Sequence, residues 1–155
     1  MIKVFVSAVI EATADEVWAV VRDFNNIPSW HPLVDRSTIE GGRPSDAVGC
    51  IRSYHLTDGA RVREQLLSLS DYNYSLSYAI IESGFDFNNF MAELKFTPVT
   101  DGNRTFGEWT AEFETAPGKE KELASFISRD VFQEGFDGLK KHLEVDVGKR
   151  SAGNT

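Results

Sequence analysis

Four short clusters of turn residues most constrain this chain: Gly41-Gly42-Arg43-Pro44, Asp58-Gly59, Asp71-Tyr72-Asn73 and Asp101-Gly102-Asn103. Gly, Asn and Asp accept the left-handed backbone of tight turns, and Pro presets the approach to one. Between them lie runs of strand character at about 35–41, 48–56, 61–70, 74–82, 90–99 and 105–115. Links this short join antiparallel neighbours, because a parallel crossover needs a dozen or more residues. The six runs therefore predict a meander. Only the link Ser83 to Asn89 is unusual, since it carries Phe85 and Phe87, which chain reversal does not require.

Before the meander, residues 2–11 are rich in Val and Ile and suit a first strand. Thr13 with Glu16 three residues on forms a capping box, so a short helix follows to about Arg22. Asp23 to Trp30 predicts a second short helix, closed by Trp30-His31-Pro32. After the meander, Pro117-Gly118 introduces the longest helix, about 119–146. Its apolar positions are Leu123, Ile127 and Val131, then Phe132, Phe136, Leu139 and Leu143. At 100° per residue they share no narrow stripe, so the apolar face drifts along the helix. Gly135 and Gly138 lie inside it, each costing about 1 kcal/mol relative to Ala. A helix lying over a cavity could use them to make room.

The expected fold is α+β: a seven-stranded, curved antiparallel sheet wrapped around the long C-terminal helix, with two short helices after the first strand. One domain over residues 1–147, with a flexible tail at 148–155, accounts for the 155 residues. Such a sheet and helix enclose a space too large for side chains alone. The 11 Phe suit a dense core or an apolar pocket equally.

The net charge of −8 argues against nucleic acid or an anionic membrane surface as partner. Cys50 stands alone, which excludes an internal disulfide and suits a reducing, cytoplasmic setting. No apolar run approaches the roughly 20 residues of a membrane span. Three scattered His and one Cys give no metal-ligand spacing, and nothing in the sequence implies a cofactor. His55 and His142 read as surface residues.

Arg52 and Glu64 are the charges that matter. With a period of two, Arg52 shares a face with Cys50 and Tyr54, and Glu64 with Val62 and Leu66. If those faces point inward, the pair is either a site or a structural ion pair. As a site, Arg52 would orient an oxygen and Glu64 would take a proton. By the same parity Tyr78 pairs with Ile80, Phe90 with Ala92, Leu94 and Phe96, and Trp109 with Ala111 and Phe113. These aromatics are core, or they line the open end of a cavity. His31 is a pocket acid or base, or a surface residue on a turn. Phe85 and Phe87 form a lid or a loop anchor.

The segments Glu16-Val17-Trp18, Asp23-Phe24 to Trp30-His31-Pro32, Val48 to Arg52, Arg63 to Leu66, Asn89-Phe90 and Trp109 to Phe113, with the terminal helix, resemble the Bet v 1-like, START-related (SRPBCC) superfamily. The resemblance covers residues 2 to about 145 and favours its polyketide cyclase/dehydrase branch. It implies a helix-grip fold and a central cavity for a small, largely hydrophobic molecule. Similarity to plant lachrymatory factor synthases puts a catalytic Arg and Glu at Arg52 and Glu64, and places Phe90 where those enzymes have a Tyr. Similarity to plant abscisic acid receptors puts a pocket Glu at Glu64, a pocket Asn at Asn89 and a ligand-binding Lys at His31; their gate and latch sequences are not present here. The implied site is thus Glu64 and Arg52 as catalytic residues. Trp30, His31, Tyr54, Tyr78, Phe87, Asn89, Phe90, Trp109, Ile127, Val131 and Gly135 are the implied ligand-binding residues. Two functions follow: a cyclase/dehydrase-like enzyme, or a non-catalytic carrier or sensor. The protein is expected to be a monomer or weak dimer.

Overall fold

The turns form where the sequence supplies residues for them. Gly59, Gly102 and Asn103 take positive φ values of 92°, 89° and 52°. In the computed structural model, described for the backbone of residues 1–153 and the side chains of residues 1–144, seven strands result. They are β1 (Ile2–Ile10), β2 (Val34–Ile39), β3 (Ile51–Leu56), β4 (Arg61–Ser70), β5 (Ser75–Glu82), β6 (Phe87–Val99) and β7 (Arg104–Thr115). They form one antiparallel sheet in the order β1-β7-β6-β5-β4-β3-β2.

Helix α1 (Ala14–Val21) starts where predicted, with Thr13 Oγ1 accepting from the Glu16 amide. It buries Val17, Trp18 and Val21. Trp18 Nε1 donates to Asp71 Oδ1 at 2.7 Å and Arg22 bonds the same carboxylate, so α1 is tied to the β4–β5 turn. The second predicted helix shrinks to one 3₁₀ turn, Ile27–Ser29, because Pro28 and the chain reversal at Trp30 leave no room for more. The predicted strand at 48–56 begins only at Ile51: Gly49 has φ 94° and Cys50 closes a turn onto the Ala47 carbonyl.

The C-terminal helix is continuous but not uniform. It comprises α2 (Glu120–Ser125), a π-helical stretch (Phe126–Gln133) and α3 (Glu134–Gly153). A π-helix bonds i to i+5. That explains the drifting apolar face: buried Ile127 and Phe132 are five apart, whereas Leu123 and Ile127, and Phe132 and Phe136, are four apart. The helix runs past the boundary expected at 147, so residues 148–153 are helical, and residues 154–155 lie outside those described.

Packing against the sheet is uneven. Trp109 stacks on Phe132 at 4.5 Å and 14°. Gly107 admits Phe136, since a Cβ there would lie 2.9 Å from its ring. This end, with Phe96 and Leu139, is solid core. The glycines of the helix serve the same end. A Cβ on Gly135 would lie 2.7 Å from Trp109 and 2.9 Å from His31, and one on Gly138 would strike the Trp30 carbonyl and Pro32. They make room for the Trp30-His31-Pro32 connector rather than for a cavity.

Candidate functional site

Around the charge pair the strands place their inward residues as the period of two predicts. Arg52 and Glu64 are directly opposed in the β3–β4 register. They are 5 % and 3 % exposed, so the pair is interior. Arg52 bonds Glu64 Oε1 through Nε at 2.8 Å and Nη2 at 2.6 Å. Its Nη1 donates to the Phe24 carbonyl at 2.9 Å. Tyr54 donates its hydroxyl to Glu64 Oε2 at 3.0 Å. The guanidinium lies over the Phe24 ring, 3.8 Å from its centroid, and 5.2 Å from that of Tyr78. Both carboxylate oxygens are therefore bonded, and the arginine is held on an aromatic face, which suits its weakly hydrated plane. Phe24 is the partner that the sequence did not assign, although the Asp23-Phe24 segment carried part of the resemblance.

Beside the pair lies an interior cavity between the sheet and the π-helical stretch. It gives the centre of a water-sized sphere about 40 Å³ to move in, room for roughly three waters by the ~10–15 Å³ that one requires. The expectation of a space too large for side chains is thus met only in miniature, because aromatic rings fill most of it. Phe87 packs on Phe90 at 5.0 Å and on Phe113 at 5.6 Å, and Phe85 on Phe126 at 5.0 Å.

Ten of the expected site residues wall this cavity: Arg52, Glu64, His31, Tyr54, Tyr78, Phe87, Phe90, Trp109, Ile127 and Val131. Three do not. Trp30 is buried behind it, and Gly135 is covered by Trp109 and His31. Asn89 points outward, exposed, and donates to Glu114 Oε2 at 3.0 Å. The reason is a β-bulge between Asn88 and Met91, with Asn89 at φ 53°. The extra residue lets both Phe87 and Phe90 face inward, which strict alternation forbids. Phe87 therefore begins β6 rather than sitting in a loop. Phe85 and Phe126 are wall residues that were not assigned. Phe126 stands three residues after Leu123, on the face an α-helical period allows, and was left out of the expected set.

His31 is 2 % exposed. Its Nε2–H donates to the Val131 carbonyl at 2.7 Å, and its Nδ1 accepts from the Leu33 amide at 3.2 Å. One partner can only accept and the other only donate, so the ring is neutral with the proton on Nε2. Burial holds its pKa down from 6.5 to about 4. With both nitrogens engaged it is no acid or base toward the cavity; it fastens the connector to the π-helical stretch. An unfolded His binds its proton below about 6.5, the folded one only below about 4. Stability from this source is present above pH 6.5 and is lost as pH falls through that window. The total is about 3 kcal/mol. Thermal melts from pH 7 to 4 should show the decline, and His31→Gln should flatten it.

Burial, and next the Glu64 charge, push the Tyr54 phenol well above its ordinary value, and Tyr78 is raised for the same reasons. Tyr78 Oη accepts from Trp109 Nε1 at 3.2 Å. Among the described residues no group of three His, Cys, Asp or Glu could hold a metal, and no helix is long and apolar enough to cross a membrane.

The architecture recurs in solved structures. XoxI from Bacillus cereus is 23 % identical with a TM-score of 0.82, over 92 % of this chain and 96 % of that one. A solution structure from Thermobifida fusca is 29 % identical with a TM-score of 0.82, over 92 % and 93 %. Norcoclaurine synthase from Thalictrum flavum, a point mutant in complex with a transition-state analogue, is 17 % identical with a TM-score of 0.73, over 93 % and 94 %. None of the curated proteins matches the chain. The family model for polyketide cyclase / dehydrase and lipid transport matches residues 1–144, and the helix-grip fold described above agrees with it: the chain belongs to that family.

Proposed function

We propose that the protein binds a small, largely apolar molecule between the sheet and the π-helical stretch, as a carrier or sensor. The observation that carries this reading is the wall itself: aromatic and aliphatic side chains converge on one polar end formed by Arg52, Glu64, Tyr54 and Tyr78. Ligand sites are mostly apolar with a few placed polar groups. Its outer wall is half-buried Leu33, Leu56, Ile80, Phe85, Phe126 and Val131. A guest larger than a few waters enters when the Phe85–Phe126 contact parts. Phe85 is on the β5–β6 loop, which Lys119 holds to the foot of the helix through Asp86.

The enzyme reading, a cyclase/dehydrase-like proton transfer by Glu64 with Arg52 holding an oxyanion, has one observation in its favour: Glu64 reaches the cavity wall with a phenol bonded to it. Against it, each carboxylate oxygen is already engaged.

Titration with the fluorescent probe 1-anilinonaphthalene-8-sulfonate separates the cases. Saturable 1:1 binding is expected, weakened at least tenfold, about 1.4 kcal/mol, by Val131→Phe in a protein that still melts cooperatively. Equal affinity in both proteins would contradict a cavity site. Once a natural ligand is known, loss of turnover with retained binding in Glu64→Gln would favour the enzyme, and changed affinity alone the carrier.

A further inference from the structure

A second, smaller void shares Arg52, Tyr78 and Trp109 with the ligand cavity and has Trp30 and Asp23 in its wall. It gives a water centre about 10 Å³, at the lower limit of roughly 10–15 Å³ for a single water. Trp30 is 6 % exposed, and its Nε1 has no acceptor within reach among the described residues. The other two indoles each have one: Trp18 bonds Asp71 and Trp109 bonds Tyr78. Tyr78 is in a related position. Its oxygen accepts from Trp109, but its own hydrogen meets no acceptor among the described hydrogen bonds. Buried polar groups in native proteins are nearly always paired, with protein or with ordered water.

We propose that this void is a binding site for one buried water molecule, which accepts from Trp30 Nε1 and from the Tyr78 hydroxyl. Water fits where an ion does not. The Arg52 guanidinium disfavours a cation, Asp23 disfavours an anion, and the volume admits nothing larger. So placed, the water joins the connector to the sheet beneath the charge pair. It adds to a direct link there, Arg52 Nη1 to the Phe24 carbonyl, while His31 ties the connector to the helix at Val131.

The test needs no ligand, so its failure would leave the binding proposal standing. In ¹⁵N-labelled protein the three indole N–H signals are compared for cross-relaxation with water, Trp30→Phe serving to assign its own. Trp30 should show a cross-peak of the sign given by a long-lived bound water. If Trp30→Phe does not fold, triple-resonance assignment of the wild type serves instead. A crystal structure should then place one density peak within about 3.2 Å of both Trp30 Nε1 and Tyr78 Oη. No cross-peak at Trp30, a protein acceptor on its Nε1, or an anomalous halide peak in the void would each overturn the proposal.

Discussion

Arg52→Met should cost the protein about 3–5 kcal/mol, because it leaves the Glu64 carboxylate buried without its cation. For a domain of this size that is a fall of roughly 10 °C or more in Tm. The cause is desolvation rather than lost attraction. Glu64 is 3 % exposed, and of its donors only Tyr54 would remain. The double variant Arg52→Met/Glu64→Leu should recover most of the loss, since apolar residues of similar volume often replace a buried pair without penalty. It should stop about 1–3 kcal/mol short, with the Tyr54 hydroxyl now unpaired. Chemical denaturation of the single and double variants measures both. A double variant no more stable than Arg52→Met would mean that the pair contributes through something other than its buried charge.

Gly138→Ala should destabilise although Ala is the better helix former by about 1 kcal/mol. The added Cβ meets the Trp30 carbonyl oxygen and lies 2.7 Å from Pro32 Cδ. Backbone cannot rotate aside, so helix or connector must shift, and overpacking of this kind costs about 1–3 kcal/mol. Gly135→Ala meets side chains instead, Trp109 and His31. Their rings are packed but movable, so its loss should be the smaller of the two. Differential scanning calorimetry of both variants decides the matter. A rise in Tm for Gly138→Ala would show that the connector is not seated on the helix.

Much of this was legible in the sequence because it depends on local rules. Turn residues and a period of two suffice to set the six-strand antiparallel meander and which residues share a face with Arg52, Glu64, Tyr78 and Trp109; that those faces point inward was implied only by the family resemblance. What failed to show depends on departures from those rules. The bulge at Asn89 breaks the alternation, so Asn89 leaves the site while Phe87 and Phe90 both wall it. The π-helical turns change the helix period, so the buried positions before and after them share no single α-helical stripe. The five-residue step from Ile127 to Phe132 was the one trace of them in the sequence. The glycines misled for another reason: whether a missing Cβ faces a cavity or a neighbour is a tertiary fact. The size of the cavity was equally hidden, since the same inward aromatics can line a space or fill it.

Whether those rings part for a guest is the central question. Nuclear magnetic resonance of the labelled protein, titrated with the same anilinonaphthalene probe, answers it most directly. The account predicts that the largest shifts fall on the Trp109 indole and the methyl groups of Ile127 and Val131, which wall the cavity. Shifts confined to the outer sheet face, around exposed Phe5 and Met91, would contradict it.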